Sequence, residues 1–339
     1  MAKTASVLAI ILVLMSCNND DYEPMYHDNP EVILSVPLGF PELNPAVNQN
    51  KPTKYGIELG EKLFSETRLS ANNTISCASC HMQSSAFADH NKQAIGIEGR
   101  VGLRNVPPIQ NLAFMFFYNW EGSKLQLEQQ TLVPIITHEE MDSSILDVIG
   151  KIQKDPSYKE LFIKTFGDDK MTPERIFKSI SQYEYSLISA NSKYDRVIRG
   201  EGETFTESEA QGYQIFKQKC ASCHSTELFT DQSFRSIGFP LNLDSNEAGR
   251  ARVTGNMTDF MSFRVPSLRN VEYTAPYGSF GQFATLRDLL DYLDNGVLES
   301  DNLDPIFKDN DNRIALDIQE KIALISFMKT LSDSEFIKK

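Results

Sequence analysis

Several things are scarce in this sequence, and each scarcity excludes something. Tryptophan occurs once and cysteine five times, and no low-complexity tract is present. Basic charge is in deficit: 33 Lys and Arg stand against 46 Asp and Glu, a formal net charge of −13. Such a chain repels nucleic-acid phosphates, which excludes that class of partner. The same acidity suits a partner with a basic face, because opposite charges steer transient encounters. It also serves plain solubility. Past the N-terminus no apolar run approaches the roughly 18 residues that a membrane-spanning helix requires. No sustained alternation of apolar and polar residues marks a substantial sheet. What remains is a mainly helical chain of 339 residues, long enough for two domains with a core each.

The N-terminus reads as an address. Lys3 precedes an apolar run, Ala5 to Met15, too short to span a bilayer as a stable helix. Leu14-Met15-Ser16-Cys17 reads as a lipobox. Residues 1–16 are therefore expected to be a lipoprotein signal peptide, and Cys17 to carry lipid after cleavage. That would place the protein in the periplasm or cell envelope, tied to a membrane only by its anchor. An uncleaved signal anchor and a plain secretory cleavage are the alternatives. Residues 17–50, rich in Pro, Asn and Asp, read as a tether and wrapping segment.

The other four cysteines fall into two pentapeptides, Cys77-Ala78-Ser79-Cys80-His81 and Cys220-Ala221-Ser222-Cys223-His224. Cys-x-x-Cys-His is the attachment signature of c-type haem. Two cysteines one helical turn apart reach the vinyl groups along one haem edge, and the next His is turned to the iron as proximal ligand. Zinc is possible by residue type, but two pairs about 140 residues apart do not call for a His after each. A thioredoxin-like motif needs one pair and a βαβ context. No cysteine is left for a disulfide. The reading is two covalently bound haems, ligated by His81 and His224.

The chain uses one module twice. Ahead of each haem motif lies an amphipathic helical stretch with a Gly-x-x-x-Phe step: Tyr55 to Phe64 with Gly60, and Glu207 to Lys217 with Gly212. A spacing of four puts both residues on one helix face. Each half closes on another apolar-periodic helix. The first carries Ile176, Ile180, Tyr183 and Leu187 and is opened by Thr172 as N-cap and Pro173 as first residue. The second carries Ile318, Ile322, Ile325, Phe327 and Leu331. The repeat suggests duplication. The expected fold is mainly all-α, two cytochrome c-like domains, at residues 51–200 and 204–339. The glycine-rich, charged stretch Arg199 to Glu203 joins them.

Two haems alone allow simple electron transfer, so chemistry has to come from their surroundings. The lone Trp120 lies between the haem motifs, where an indole can relay an electron; a single Trp is also commonly core. Downstream stand Leu127-Glu128-Gln129-Gln130, Pro134-Ile135 and Glu140-Met141. With Trp120-Glu121-Gly122, Ala86-Phe87-Ala88-Asp89, Arg104-Asn105-x-Pro107 and Phe263 to Asn270, this pattern closely resembles the bacterial dihaem cytochrome c peroxidases and their relatives of the MauG type. The resemblance runs from about Tyr55 to Leu331.

The resemblance implies roles. His81 would hold a low-potential peroxidatic haem, with Glu140 above its open face and Gln130 orienting the peroxide. Glu140 would shuttle a proton between the peroxide oxygens, which a carboxylate of raised pKa can do. His224 would hold a high-potential haem that takes electrons from a small cytochrome c or cupredoxin and passes them on through Trp120. A calcium ion is implied between the domains, bound by the Asn105 side chain and the Thr274 and Pro276 carbonyls. A homodimer is possible on the same footing.

Three positions depart from the family pattern. Ile97 stands where some members carry a ligating His, which implies a five-coordinate first haem at rest. Leu293 stands where the second haem's distal ligand is expected. Tyr292 beside it, or Met257 or Met261, would have to substitute, or that haem too would be five-coordinate. Tyr277-Gly278-Ser279-Phe280-Gly281 lacks the family's His and Asp. The implied activity is reduction of hydrogen peroxide to water. The alternative is a MauG-like oxidation of a protein or small molecule through a high-valent haem state.

Overall fold

The computed structural model describes residues 28–241 and 247–338. The apolar N-terminal run and Cys17 lie outside them, and with them the expectations of a signal peptide and a lipid anchor. Among the described residues the chain forms twelve α-helices: α1 (Lys54–Phe64), α2 (Cys77–Cys80), α3 (Leu127–Ile136), α4 (Ile145–Ile152), α5 (Pro156–Phe166), α6 (Pro173–Ser186), α7 (Lys193–Ile198), α8 (Glu207–Lys219), α9 (Ala251–Thr254), α10 (Leu286–Asn295), α11 (Pro305–Lys308) and α12 (Ile318–Lys329). The regular sheet among them is one antiparallel pair, β1 (Phe234–Arg235) against β2 (Phe263–Arg264). No described helix is long and apolar enough to cross a membrane.

Both halves rest on the same helix crossing. In the first, the Thr53 hydroxyl accepts from the Gly56 amide and opens α1, which buries Leu59, Leu63 and Phe64. At Gly60 the helix runs so close to α6 that a Cβ would lie 2.0 Å from the Ser179 carbonyl oxygen. In the second, Thr206 and Glu209 form a capping box at the start of α8. At Gly212 a Cβ would lie 1.9 Å from the Ala323 carbonyl oxygen of α12. The Gly-x-x-x-Phe step is thus a contact device: the glycine admits the partner backbone, and Phe64 and Phe216 fill the core beside it. Thr172 and Pro173 begin α6 as expected.

The two apolar cores trade their ends. Tyr194 of α7 packs in the C-terminal core against Phe229 and Phe327, at ring distances of 5.0 and 6.0 Å. In return Phe336, near the C-terminus, packs on Phe87 of the first core at 5.4 Å, and its carbonyl accepts from Gln83. A buried ion pair fastens the same seam: Arg269 bonds both oxygens of Asp195, at 2.8 and 3.0 Å. Of residues 28–50, Leu34, Phe40, Leu43 and Val47 pack against a third apolar cluster. Phe40 sits edge-on to Phe114 at 5.2 Å, and the buried Asn44 amide donates to Met115.

Candidate functional site

Each Cys-x-x-Cys-His forms one tight turn that bends back on its own amides. In the first, the His81 amide donates to the Cys77 carbonyl at 2.9 Å; in the second, His224 does so to Cys220 at 3.0 Å. Phe87 and Phe229 then take up left-handed backbone, with φ of 59° and 54°. Their carbonyls accept from the Nδ1 of His81 at 2.8 Å and of His224 at 3.0 Å. A carbonyl only accepts, so Nδ1 carries the proton and Nε2 keeps its lone pair, the form in which a His binds metal. Burial holds both imidazoles neutral, pushing His81 down to about 4 and lowering His224 as well.

The first motif opens into a cavity of about 1200 Å³. Cys77, Cys80 and His81 line it together with Gln130, Pro134 and Glu140 of α3 and the turn that follows. Its apolar wall includes Ile75, Val106, Ile109 and Leu127. Burial first, and then nearby carboxylates including Glu140, push up the thiols of Cys77 and Cys80. Arg264 also lines the cavity, its guanidinium pushed down to about 10 by burial. Its side-chain hydrogen bond among the described residues is a long one, from Nε to the Asn119 carbonyl at 3.4 Å.

This wall fits a haem c: paired thiols, an imidazole with its lone pair free, apolar faces, and a cation without a carboxylate partner among the described residues, suited to propionates. Sequence reasoning missed Arg264, although it stood inside the quoted Phe263 to Asn270 stretch, because nothing in a linear motif shows which Arg lacks a carboxylate partner.

Glu140 and Gln130 line the same cavity as the first Cys-x-x-Cys-His motif. The turn bearing Glu140 is built tightly. Its amide donates to Thr137, and its carbonyl accepts from Ile97 at 2.9 Å. Arg100 clamps the turn, donating to the His138 carbonyl at 2.9 Å and to Asp142 at 2.6 Å. Burial, with the charge of Glu139 adding, raises the Glu140 carboxyl above its ordinary range. Gln130 accepts from the Asn119 amide at 3.3 Å, which leaves its own NH₂ free to donate.

Trp120 lines the same cavity at the seam between the halves. Its indole nitrogen donates to Asn105 at 2.9 Å, its ring meets Phe263 edge-on at 6.4 Å, and its carbonyl accepts from the Arg264 amide.

The departures have structural counterparts. Ile97 is buried, 2% exposed, in the loop that packs on the Glu140 turn. Leu293 packs with Val297, Leu303 and Phe307 in a satellite core, and the Tyr292 hydroxyl donates to Gly238 at 2.6 Å. Met257 is exposed, whereas Met261 is buried beside Phe263 and Phe280. The 277–281 loop replaces the missing His and Asp with a two-way bridge between Tyr277 and Phe283 and a bond from the Phe280 amide to the Gln282 side chain at 2.9 Å. Asn105, 5% exposed, donates through its amide nitrogen to Asn91. That leaves its side-chain oxygen, the atom a cation uses, without a partner among the described residues. Thr274 bonds locally to Val271.

Known proteins resemble this chain in sequence and in fold. The family described as di-haem cytochrome c peroxidase matches residues 54–203. Among curated proteins, the cytochrome c551 peroxidase of Nitrosomonas europaea is 32% identical over 82% of this chain and 80% of its own. The methylamine utilization protein MauG of Methylophilus methylotrophus is 30% identical over 86% of each. A crystal structure of a MauG-like protein associated with microbial copper homeostasis superposes with a TM-score of 0.82 at 28% identity, covering 91% of this chain and 97% of that one. The diheme peroxidase BthA of Burkholderia thailandensis, 20% identical with a TM-score of 0.75, shares the fold. Relatives of both kinds extend along nearly the whole folded body, and through them the chain belongs to the dihaem cytochrome c peroxidase and MauG family of two-haem oxidoreductases.

Proposed function

We propose that the chain reduces hydrogen peroxide to water at the haem of the first cavity, with electrons that a small redox protein, a cytochrome c or a cupredoxin, delivers through the second haem. The observation that carries this reading is Glu140, a carboxyl of raised pKa on the cavity of Cys77, Cys80 and His81. The haem, when bound, supplies an iron for peroxide to bind and the electrons that reduce it. The chain's own residues do the rest. Glu140 accepts a proton from one peroxide oxygen and returns it to the other, which then departs as water. The Gln130 amide donates to the peroxide and holds it in line. Arg264 neutralises propionate charge, and Ile97 brings no ligating side chain to the cavity. Trp120, in contact with both halves, is suited to pass electrons between them.

The halves divide at 199–203 in this reading, and the protein is exported and lipid-anchored at Cys17 in the cell envelope. The Asn105 oxygen, with the Thr274 and Pro276 carbonyls, would hold a calcium ion that braces the seam. A second reading, MauG-like oxidation of another molecule, is favoured by Leu293, which gives the second iron no ligand where one is expected. Steady-state peroxide consumption with a reduced cytochrome c tests the first reading. Turnover in the wild type that falls by ~10²–10⁴-fold in Glu140→Gln, the range general acid–base catalysis supplies, is the expected result. Absence of turnover in protein carrying both haems would refute it.

A further inference from the structure

Reducing peroxide to two waters consumes two protons beyond the one that Glu140 takes and gives back, so protons must reach the cavity from solvent. One side chain not used so far is placed for this. Glu184, in the last turn of α6, lines the first cavity and is 7% exposed. Its carboxyl makes no side-chain hydrogen bond among the described residues, and its Oε2 is wholly buried. A buried carboxylate without a partner is costly, so such a group is held neutral or is served by a proton. Glu128 of α3 is the carboxylate nearest it in influence. Glu128 accepts from Asn50 at 2.7 Å and lines a second, open hollow of about 630 Å³ between the wrapping segment, α3 and α6.

Burial, with repulsion from Glu128 second, pushes Glu184 up to about 8. The other titratable groups facing it are Tyr118, Tyr183, Tyr185 and Cys77. All three tyrosines are raised above their ordinary range, burial being the largest cause, and the Cys77 thiol is consumed on haem attachment. Arg264 is felt at Tyr118. Among these groups Glu184 changes charge nearest neutral pH, and across the same cavity the Glu140 carboxyl is raised as well.

We propose that Glu184 exchanges a proton with solvent, by way of Glu128 and the hollow behind it, in step with reduction of the haem in the first cavity. The balance is simple. One electron enters from the donor, one proton enters from solvent, and the Glu184 carboxylate becomes the acid, so the charge of the cavity is unchanged. Reoxidation releases the proton. The inference rests on the reading that this cavity holds the first haem.

The test is the reduction potential of the first haem in the mature two-haem protein, titrated spectroelectrochemically from about pH 5 to pH 9, a span that brackets a carboxyl raised this far. The expected potential falls as pH rises. At one proton per electron the equilibrium changes up to tenfold per pH unit, ~59 mV for a one-electron couple. Glu184→Gln should flatten this dependence with both haems still bound. Glu128→Gln should keep it but move it to lower pH, because a like charge is gone. In infrared difference spectra, reduction should produce an acid carbonyl band that Glu184→Gln lacks.

A slope that survives Glu184→Gln assigns the proton to Glu140 or the propionates and overturns the proposal, as does a flat wild type. If Glu184→Gln does not mature, an unmoved pH window in Glu128→Gln overturns it instead. Peroxide turnover is measured separately. Its absence would refute the peroxidase reading while leaving the slope and its assignment standing.

Discussion

Replacing Gly96 by alanine probes how closely the catalytic turn is held. A Cβ there would sit 2.1 Å from the Glu139 carbonyl oxygen and 2.4 Å from that of Glu140. Both are backbone atoms of the turn that presents Glu140, so no flexible side-chain tip can swing aside. Gly96 has φ −94°, open to any residue, so the penalty is contact alone.

Ordinary contact begins near 3.4 Å, against 2.1 Å here, so loop and turn must part by about 1.3 Å. They are also tied by the Ile97 amide and by Arg100, so the strain is shared between moving Glu140 and breaking those bonds. A misplacement of about 1 Å at a reacting group can cost ~10²-fold in rate. Overpacking of this kind costs about 1–3 kcal/mol of stability. The assay is kcat/KM for peroxide at matched haem content, with a thermal midpoint beside it. We expect kcat/KM to fall ~10²-fold and the midpoint to drop. Gly150→Ala on α4, where a Cβ meets nothing within 4 Å, should leave kcat/KM unchanged. Wild-type kcat/KM and midpoint in Gly96→Ala would refute the claim that this loop fixes the Glu140 turn.

The remaining predictions are more direct. Gly212→Ala should destabilise the C-terminal half by about 1–3 kcal/mol in urea unfolding, because its Cβ meets the Ala323 backbone and overpacking outweighs the gain in helix propensity. Arg269→Leu should cost ~3–5 kcal/mol in the same assay, since it leaves the Asp195 carboxylate buried without its partner. Glu140 must be ionised to accept a proton, and its folded pKa is raised. Peroxide reactivity should therefore fall with decreasing pH already above the ordinary glutamate range, and rapid-mixing rates for Glu140→Gln should lose that limb. Arg264→Leu should keep the thioether bonds, as mass spectrometry reports, yet alter the first haem's potential by removing a buried cation from its cavity.

Much of this was legible in the residues themselves. Local chemistry dictates the Cys-x-x-Cys-His turns, the Thr172–Pro173 helix start and the two Gly-x-x-x-Phe steps, so a linear reading finds them. Glu140, Gln130 and Trp120 could be singled out only through a family pattern, because taken alone each is an ordinary helix or loop residue. The exchange of chain ends could not be read at all. Tyr194 and Phe336 look like generic apolar positions, and their opposite destinations follow from tertiary packing. Glu184 was equally hidden: a Glu on an amphipathic helix is usually solvated, and only the folded chain shows its carboxyl buried and without a hydrogen-bond partner among the described residues.

Peroxide reduction in the first cavity requires a haem bound at Cys77 and Cys80 and ligated by His81, with its other face open beside Glu140. Electron paramagnetic resonance of the resting ferric protein reports this directly. A high-spin signal from one haem, converting to low spin when a small anionic ligand such as cyanide is added, is the predicted result. A resting spectrum in which both haems are wholly low spin would contradict it.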